Sequence, residues 1–151
     1  MIIRTYQPAD LESVMTCFNN SVREIGSRYY TARQIDAWAA ASSDVPAWRK
    51  RLDTGGVFLA EINGNLAGFV RVKESGCLDL LFVSPQFERK GIGRMLLQTA
   101  CSWAKENGAE KLWSDVSLAA RPLFESMGFE VIAEQIVERR GEQLQNYRMV
   151  L

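Results

Sequence analysis

The segment Arg89-Lys90-Gly91-Ile92-Gly93-Arg94 sets three cations around two glycines, directly before an apolar series at Leu96, Leu97, Ala100, Cys101 and Ala104. That spacing is helical and puts the glycines at a helix mouth. Unpaired backbone N–H groups and aligned peptide dipoles make that end of a helix partly positive. Glycine has no Cβ, so a phosphate oxygen can approach the backbone closely. The chemistry favoured here is the holding of a pyrophosphate. A P-loop is excluded, because Gly93 is followed by Arg94 and Met95 and not by Lys and a hydroxyl residue. A dinucleotide fingerprint is excluded by Leu96, which stands where a third small residue is needed. The competing reading, glycines that merely break a loop before a surface helix, is weakened by the basic flank and by the apolar strand ending at Val83-Ser84-Pro85.

Composition limits the rest of the chemistry. The chain has no histidine, so Ser-His-Asp and Cys-His nucleophilic machinery and His-based zinc sites are excluded. A base must then be a carboxylate, an amine, a phenolate or an ordered water. Cys17, Cys77 and Cys101 are odd in number and far apart, which argues against a disulfide framework and for small buried hydrophobes. With 151 residues the chain is expected to be one domain, residues 1–151. Net charge is +0, which gives no general bias toward nucleic acid or an anionic membrane. No apolar run approaches the ~20 residues needed to span a bilayer. The opening Met1-Ile2-Ile3-Arg4-Thr5-Tyr6 reads as a strand and not a signal peptide, so a cytoplasmic protein is expected.

The elements that must position the loop follow from periodicity and punctuation. A first strand, Ile2 to Tyr6, ends at Gln7-Pro8, and Asp10 caps a helix through Leu11, Val14, Met15, Phe18 and Val22. Gly26-Ser27 breaks it, and Thr31 starts a second helix through Ile35 and Trp38. Pro46 opens a short third helix containing Trp48 and Leu52. Val57 to Ile62 and Leu66 to Val72 form a hairpin about Asn63-Gly64. Cys77 to Val83 is a buried strand that Pro85 must stop, since proline cannot extend the ladder. The helix from the glycine loop stops at Asn107-Gly108. Lys111 to Trp113 is expected as a short strand, with Ser117 capping a helix through Ala120, Leu123, Phe124 and Met127. Val131 to Val137 and Leu144 to Val150 close the chain as strands joined near Arg140-Gly141. Leaving out the short helix at Pro46, the order β-α-α-β-β-β-α-β-α-β-β predicts an α/β mixed sheet with helices on both faces.

Two motifs now carry a resemblance. The strand ending Val83-Ser84-Pro85, followed by Glu88-Arg89-Lys90-Gly91-Ile92-Gly93, resembles the coenzyme A signature of the GNAT acetyltransferases, Val-x-Pro and then Gln/Arg-x-x-Gly-x-Gly/Ala. The stretch Ser117-Leu118-Ala119-Ala120-Arg121-Pro122-Leu123-Phe124-Glu125-Ser126-Met127-Gly128-Phe129 resembles that family's Asn-x-x-Ala-x-x-apolar-Tyr-Glu-x-x-Gly-Phe. The form of this second motif is similar to that of a bacterial subgroup of small, uncharacterised N-acetyltransferases. The resemblance implies the GNAT fold, with two central strands splayed into a V-shaped cleft. It implies an acetyl-CoA-dependent N-acetyltransferase without a metal, acting by direct attack of an amine on the thioester. Leu81, Phe82 and Val83 would bind the pantetheine arm as an added strand, the backbone from Arg89 through Lys90, Gly91, Ile92, Gly93 and Arg94 would bind the pyrophosphate, and Ser117 would contact the coenzyme. Glu88 departs from the pattern, because a carboxylate beside a pyrophosphate is unfavourable unless it turns away or pairs with Arg89 or Arg94.

The family's usual acid, a tyrosine, is replaced by Phe124, which has no proton to give. Tyr147 on the last strand is the candidate replacement, the alternative being a half-buried strand aromatic. Asp79 is the candidate base. It is the single charged residue between Leu78 and Val83, alternation puts it on the face of Leu81 and Val83, and burial would raise its pKa. The alternative is an aspartate at the strand's start bonded to a backbone N–H or a lysine. Tyr29 and Tyr30 are expected to contact the acceptor, while Trp38 and Trp48, at helical spacing, are expected to pack in the core. The acceptor would be a primary amine of a small molecule or a peptide, and the protein a monomer or homodimer. A second class stays open: an acyl-CoA-binding regulatory module with weakened catalysis, suggested by Phe124 and Glu88.

Overall fold

A computed structural model describes residues 1–151. Seven strands and five α-helices alternate along the chain: β1 Ile2–Thr5, α1 Leu11–Glu24, α2 Ala32–Ala39, α3 Val45–Leu52, β2 Gly56–Ile62, β3 Asn65–Val72, β4 Leu78–Val83, α4 Ile92–Glu106, β5 Trp113–Ser117, α5 Arg121–Ser126, β6 Glu130–Arg139 and β7 Glu142–Val150. The first four strands form one antiparallel sheet in the order β1-β2-β3-β4, and the last three form a second in the order β5-β7-β6. No helix is long and apolar enough to cross a membrane.

Local chemistry accounts for most boundaries. Thr31 and Gln34 form a reciprocal capping box at the start of α2, and Asp44 accepts from the Ala47 N–H at the start of α3. The β6–β7 hairpin turns through Arg140 and Gly141, both at positive φ, which matches the twist of the paired strands. The boundaries of β5 and α5 differ from the sequence reading. The strand expected at Lys111 to Trp113 instead starts at Trp113 and runs to Ser117. Its partner β7 ends at Val150, opposite Trp113, and past that point a single bond, from the Leu151 N–H to Leu112 O at 2.9 Å, is all that continues the pairing. Ser117 therefore ends a strand, and its Oγ accepts from the Ala120 N–H in a turn that precedes α5.

The first sheet is covered on both faces. One core joins Val70, Val72 and Leu78 to Ile92, Leu96, Leu97 and Ala100 of α4, and extends under the second sheet through Val116, Phe124 and Met149. The other joins Leu59, Phe69 and Leu80 to Val14, Phe18 and Val22 of α1 and to Trp48 and Leu52 of α3. β3 is buried on both sides from Ala67 to Val72, as a strand between two helical layers must be.

The two sheets meet only at one end of β4 and β5. Cys77 and Trp113 form a single parallel bridge, Trp113 N–H donates to Gly76 O at 3.1 Å, and Ser114 Oγ donates to Leu78 O at 2.7 Å. Beyond that point β4 and β5 separate into the expected V.

Candidate active site

The V exposes backbone on β4. Ser84 N–H donates to Ala67 O at 2.8 Å. With Phe82 opposite Phe69 and Leu80 opposite Arg71, antiparallel alternation gives Phe82 and Leu80 the bonds to β3. The N–H and C=O groups of Leu81 and Val83 then point into the gap. A cavity of about 310 Å³ follows this edge, lined by Leu81, Phe82 and Val83 of β4, by Ser21, Val22, Ile25 and Gly26 of the α1 end, and by the glycine loop. Of the predicted coenzyme residues, Arg89, Gly91, Ile92, Gly93, Arg94 and Ser117 also line it. Lys90 does not: it is exposed and lies off the cavity. Ile92 is buried at 1%, so it can offer its backbone only.

The loop geometry suits a large anion. Gly91 is the N-cap of α4 at φ +77°, a region costly for a side chain, and the space its Cβ would occupy is open. A Cβ on Gly93 would lie 2.9 Å from Leu123, so glycine here lets α4 begin close against α5. Glu88 is not paired with Arg89 or Arg94. It takes a two-pronged bond from Arg28, at 2.9 Å from Nη1 and 2.7 Å from Nη2. The Arg28 bond, ahead of the cost of burial, holds its carboxyl below the usual range. The carboxylate is thus occupied across the mouth of the cavity by a residue 60 positions away, which the sequence reading had no means to name.

A second cavity, of about 280 Å³, lies further along β4, toward Leu78. Its walls include Phe18, Tyr30, Trp38 and Trp48, the strand edge at Asp79 to Phe82, and Asp115 to Ser117 with Leu144 to Asn146 of the second sheet. The two cavities share Trp38, Leu81, Phe82, Ser117 and Ala120. They meet where β4 parts from β5. Trp38, expected as core, stands at this neck with its ring edge-on to Phe18 and Tyr30. Helical spacing located it correctly on an inward face and could not say that the face lines a cavity.

The acid–base candidates are corrected. Asp79 lines the second cavity but is not on the face of Leu81 and Val83. Leu80 opposes Arg71 and Leu78 opposes Val72, so Asp79 is the extra residue of a β-bulge that breaks the alternation. It turns toward α3, where Arg51 donates from Nε at 2.7 Å and Nη2 at 2.8 Å, and buried Arg71 donates from Nη1 at 2.6 Å. Burial alone would push Asp79 up. The bonds and charges of Arg51 and Arg71 outweigh it and hold the carboxyl below its ordinary value. A base with a raised pKa is the opposite of what this geometry makes. Asp115 behaves alike: burial raises it, and Arg148 and Gln135 bring it below the usual range.

Tyr147 lines neither cavity. It packs in the α4-side core, with Arg121 over its ring at 4.4 Å and Gln145 Nε2 donating to its hydroxyl at 3.2 Å. Tyr29 is 48% exposed and also lies outside both cavities. Tyr30 does line the second cavity, but its hydroxyl is committed: it donates to Gln145 O at 2.6 Å and accepts from Leu118 N–H at 3.0 Å. Burial raises its pKa, so it stays a phenol that ties the helical layer to the second sheet. Arg51 and Arg139, unremarked in the sequence because Arg49-Lys50-Arg51 and Arg139-Arg140 read as solvated basic runs, both line this cavity.

Comparison with known proteins agrees with this arrangement. A family model described as an acetyltransferase (GNAT) domain matches residues 27–151. The uncharacterized N-acetyltransferase YafP of Escherichia coli (strain K12) is 35% identical over 147 residues, covering 97% of this chain and 93% of that protein. The structure of a GCN5-related N-acetyltransferase from Rhodopseudomonas palustris, described as a class-II aminotransferase, superposes with a TM-score of 0.96 at 28% identity, over 99% of this chain and 93% of that one. The PaiA N-acetyltransferase of Thermoplasma acidophilum, solved in complex with coenzyme A, shares the fold at a TM-score of 0.80 and 19% identity, over 99% of this chain and 96% of that one. The split sheet, the glycine loop on α4 and these matches together show that the chain belongs to the GNAT acetyltransferase family.

Proposed function

We propose that this protein, working as one domain over residues 1–151, transfers an acetyl group from acetyl-CoA to a primary amine of a small molecule or peptide. The observation that carries this reading is the neck at Leu81, Phe82, Ser117, Ala120 and Trp38, where a cavity bordered by the glycine loop joins an aromatic one. Acetyl-CoA, when bound, supplies the activated acyl group. The free backbone groups of Leu81 and Val83 suit an amide-bearing arm laid along β4, and the N–H groups at the mouth of α4 suit its pyrophosphate. The Leu81 N–H is the donor we assign to the carbonyl oxygen as negative charge develops there.

Proton handling then falls to the field and to water. Efficient bases have a pKa near the working pH, and both cavity carboxylates are held below their ordinary values. Arg51, Arg71, Arg139 and Arg148 stand on or behind the cavity walls. Nearby positive charge disfavours an ammonium and so favours the neutral, nucleophilic amine, with water taking its proton. A thiol of pKa ~8.5 leaves tolerably as thiolate, so the loss of a phenol at Phe124 is tolerable. Orientation at the neck supplies most of the acceleration. We take the cytoplasm as its compartment, in keeping with three free, buried cysteines.

The test pairs thiol release from acetyl-CoA over an amine panel with calorimetry on Gly91→Asp. The variant should fold, because its Cβ meets nothing within 4 Å, although φ +77° costs ~1–2 kcal/mol. Its acetyl-CoA affinity should fall by more than about tenfold. Unchanged affinity would remove the glycine loop from the site.

A further inference from the structure

We propose that the acceptor carries a carboxylate near its amine and an apolar body between the aromatic walls, in the manner of an apolar amino acid. This rests on the acetyltransferase reading above and names the substrate class of that same cavity.

The cavity's arginines keep free donors, and its acids are committed. Arg139 of β6 lines the cavity and donates only from Nη1, to Glu138 O at 3.1 Å, so its Nε and Nη2 have no partner. Glu142, opposite it in the hairpin register, makes no ion pair with it. Arg51 lines the same cavity and spends Nε and Nη2 on Asp79, which leaves Nη1 free. Arg139 therefore presents an unused Nε/Nη2 edge, the planar fork that matches a carboxylate, and Arg51 adds a single free Nη1. The acids are the reverse case. Asp79 already receives three N–H bonds, and Asp115 receives Arg148 from Nε and Nη2 together with Gln135. No carboxylate is left to hold a second ammonium, so a polyamine would bring further positive charge against arginine-rich walls. Trp38, Trp48 and Phe18 supply an apolar surface, and a cavity of about 280 Å³ has room for a body the size of one apolar amino-acid side chain.

Binding of the acetylated product tests this without requiring turnover. N-acetylphenylalanine, N-acetylleucine and N-acetylmethionine are titrated into coenzyme-A-saturated protein, each beside its decarboxylated counterpart. A charged hydrogen-bonded partner predicts ~10–100-fold tighter binding of the carboxylated member in at least one pair. The preference should collapse in Arg139→Ala, recover in part in Arg139→Lys, and persist in Arg33→Ala, which removes the same charge from an exposed site on α2. Equal binding within every pair, tighter binding of the decarboxylated members, no binding by any member, or a preference that survives Arg139→Ala overturns the inference. Calorimetry of acetyl-CoA itself reads separately on the acetyltransferase assignment: a protein that binds coenzyme and ignores the carboxylate loses only the inference.

Discussion

Replacing Asp79 by asparagine separates a structural carboxylate from a catalytic one. The carboxylate receives three N–H bonds, with side-chain exposure of 14% for Asp79, 7% for Arg71 and 41% for Arg51. Removing the charge leaves Arg71 buried with only Thr54 O and Thr54 Oγ1 as partners. Breaking one side of a buried pair costs ~3–5 kcal/mol. Asparagine keeps one acceptor oxygen, and the Arg51 contact is discounted for solvent screening. The net loss should be ~2–4 kcal/mol, which lowers the melting temperature of a chain this long by about 5–15 °C. Urea unfolding and calorimetry measure that loss. Acetyl-CoA affinity should be unchanged, and kcat/KM measured well below the melting point should fall by the same factor at pH 7 and pH 9. A variant that melts within ~1 °C of the parent, yet loses ~10²–10⁴ in rate at pH 7 and recovers it at pH 9, would refute the reasoning and make Asp79 the base.

Glu88→Gln removes the one negative charge beside the glycine loop and releases Arg28, so acetyl-CoA should bind a few-fold tighter at low salt, with the gain fading at high salt and the melting temperature unchanged. Weaker binding would mean that the Arg28–Glu88 contact shapes the cavity. Phe124→Tyr adds a phenol to a ring on the aromatic cavity, packed edge-on to Phe129 at 5.0 Å, and turnover should rise; a drop in stability with no rise would put the ring edge away from the departing sulfur. Asp10, Asp79, Glu88 and Asp115 are all held below their ordinary values when folded. Their stabilisation is therefore complete above the unfolded carboxylate range of ~4 and is lost as pH falls through the folded values. The urea midpoint should be flat from about pH 7 to 5 and fall steeply below about pH 4, less steeply in Asp79→Asn; a parallel acid limb in that variant would count against the pairing.

The signals legible in the residues alone are local. Periodicity and punctuation located the helices and the two hairpins, Thr31 marked the start of α2, and Pro85 with Gly91 marked the loop between β4 and α4. These are short-range signals, written in propensity and backbone freedom, and they need no partner. β5 was misplaced because Trp113-Ser114-Asp115-Val116-Ser117 has weak strand character and is held by pairing with β7, a partner about 30 residues away. The chemistry of the ionisable groups depended on contacts between distant residues. Asp79 read as a candidate base because period-2 alternation and burial were the terms available, and both failed for one reason. A bulge rotated it to the other face, where Arg51 and Arg71 waited, and their charge outweighed desolvation. Glu88 was resolved in the same way by Arg28, and Tyr147 was withdrawn into the core beneath Arg121. A side chain's pKa and exposure depend on which distant groups the fold brings within a few ångströms, and residue type and spacing carry no record of them.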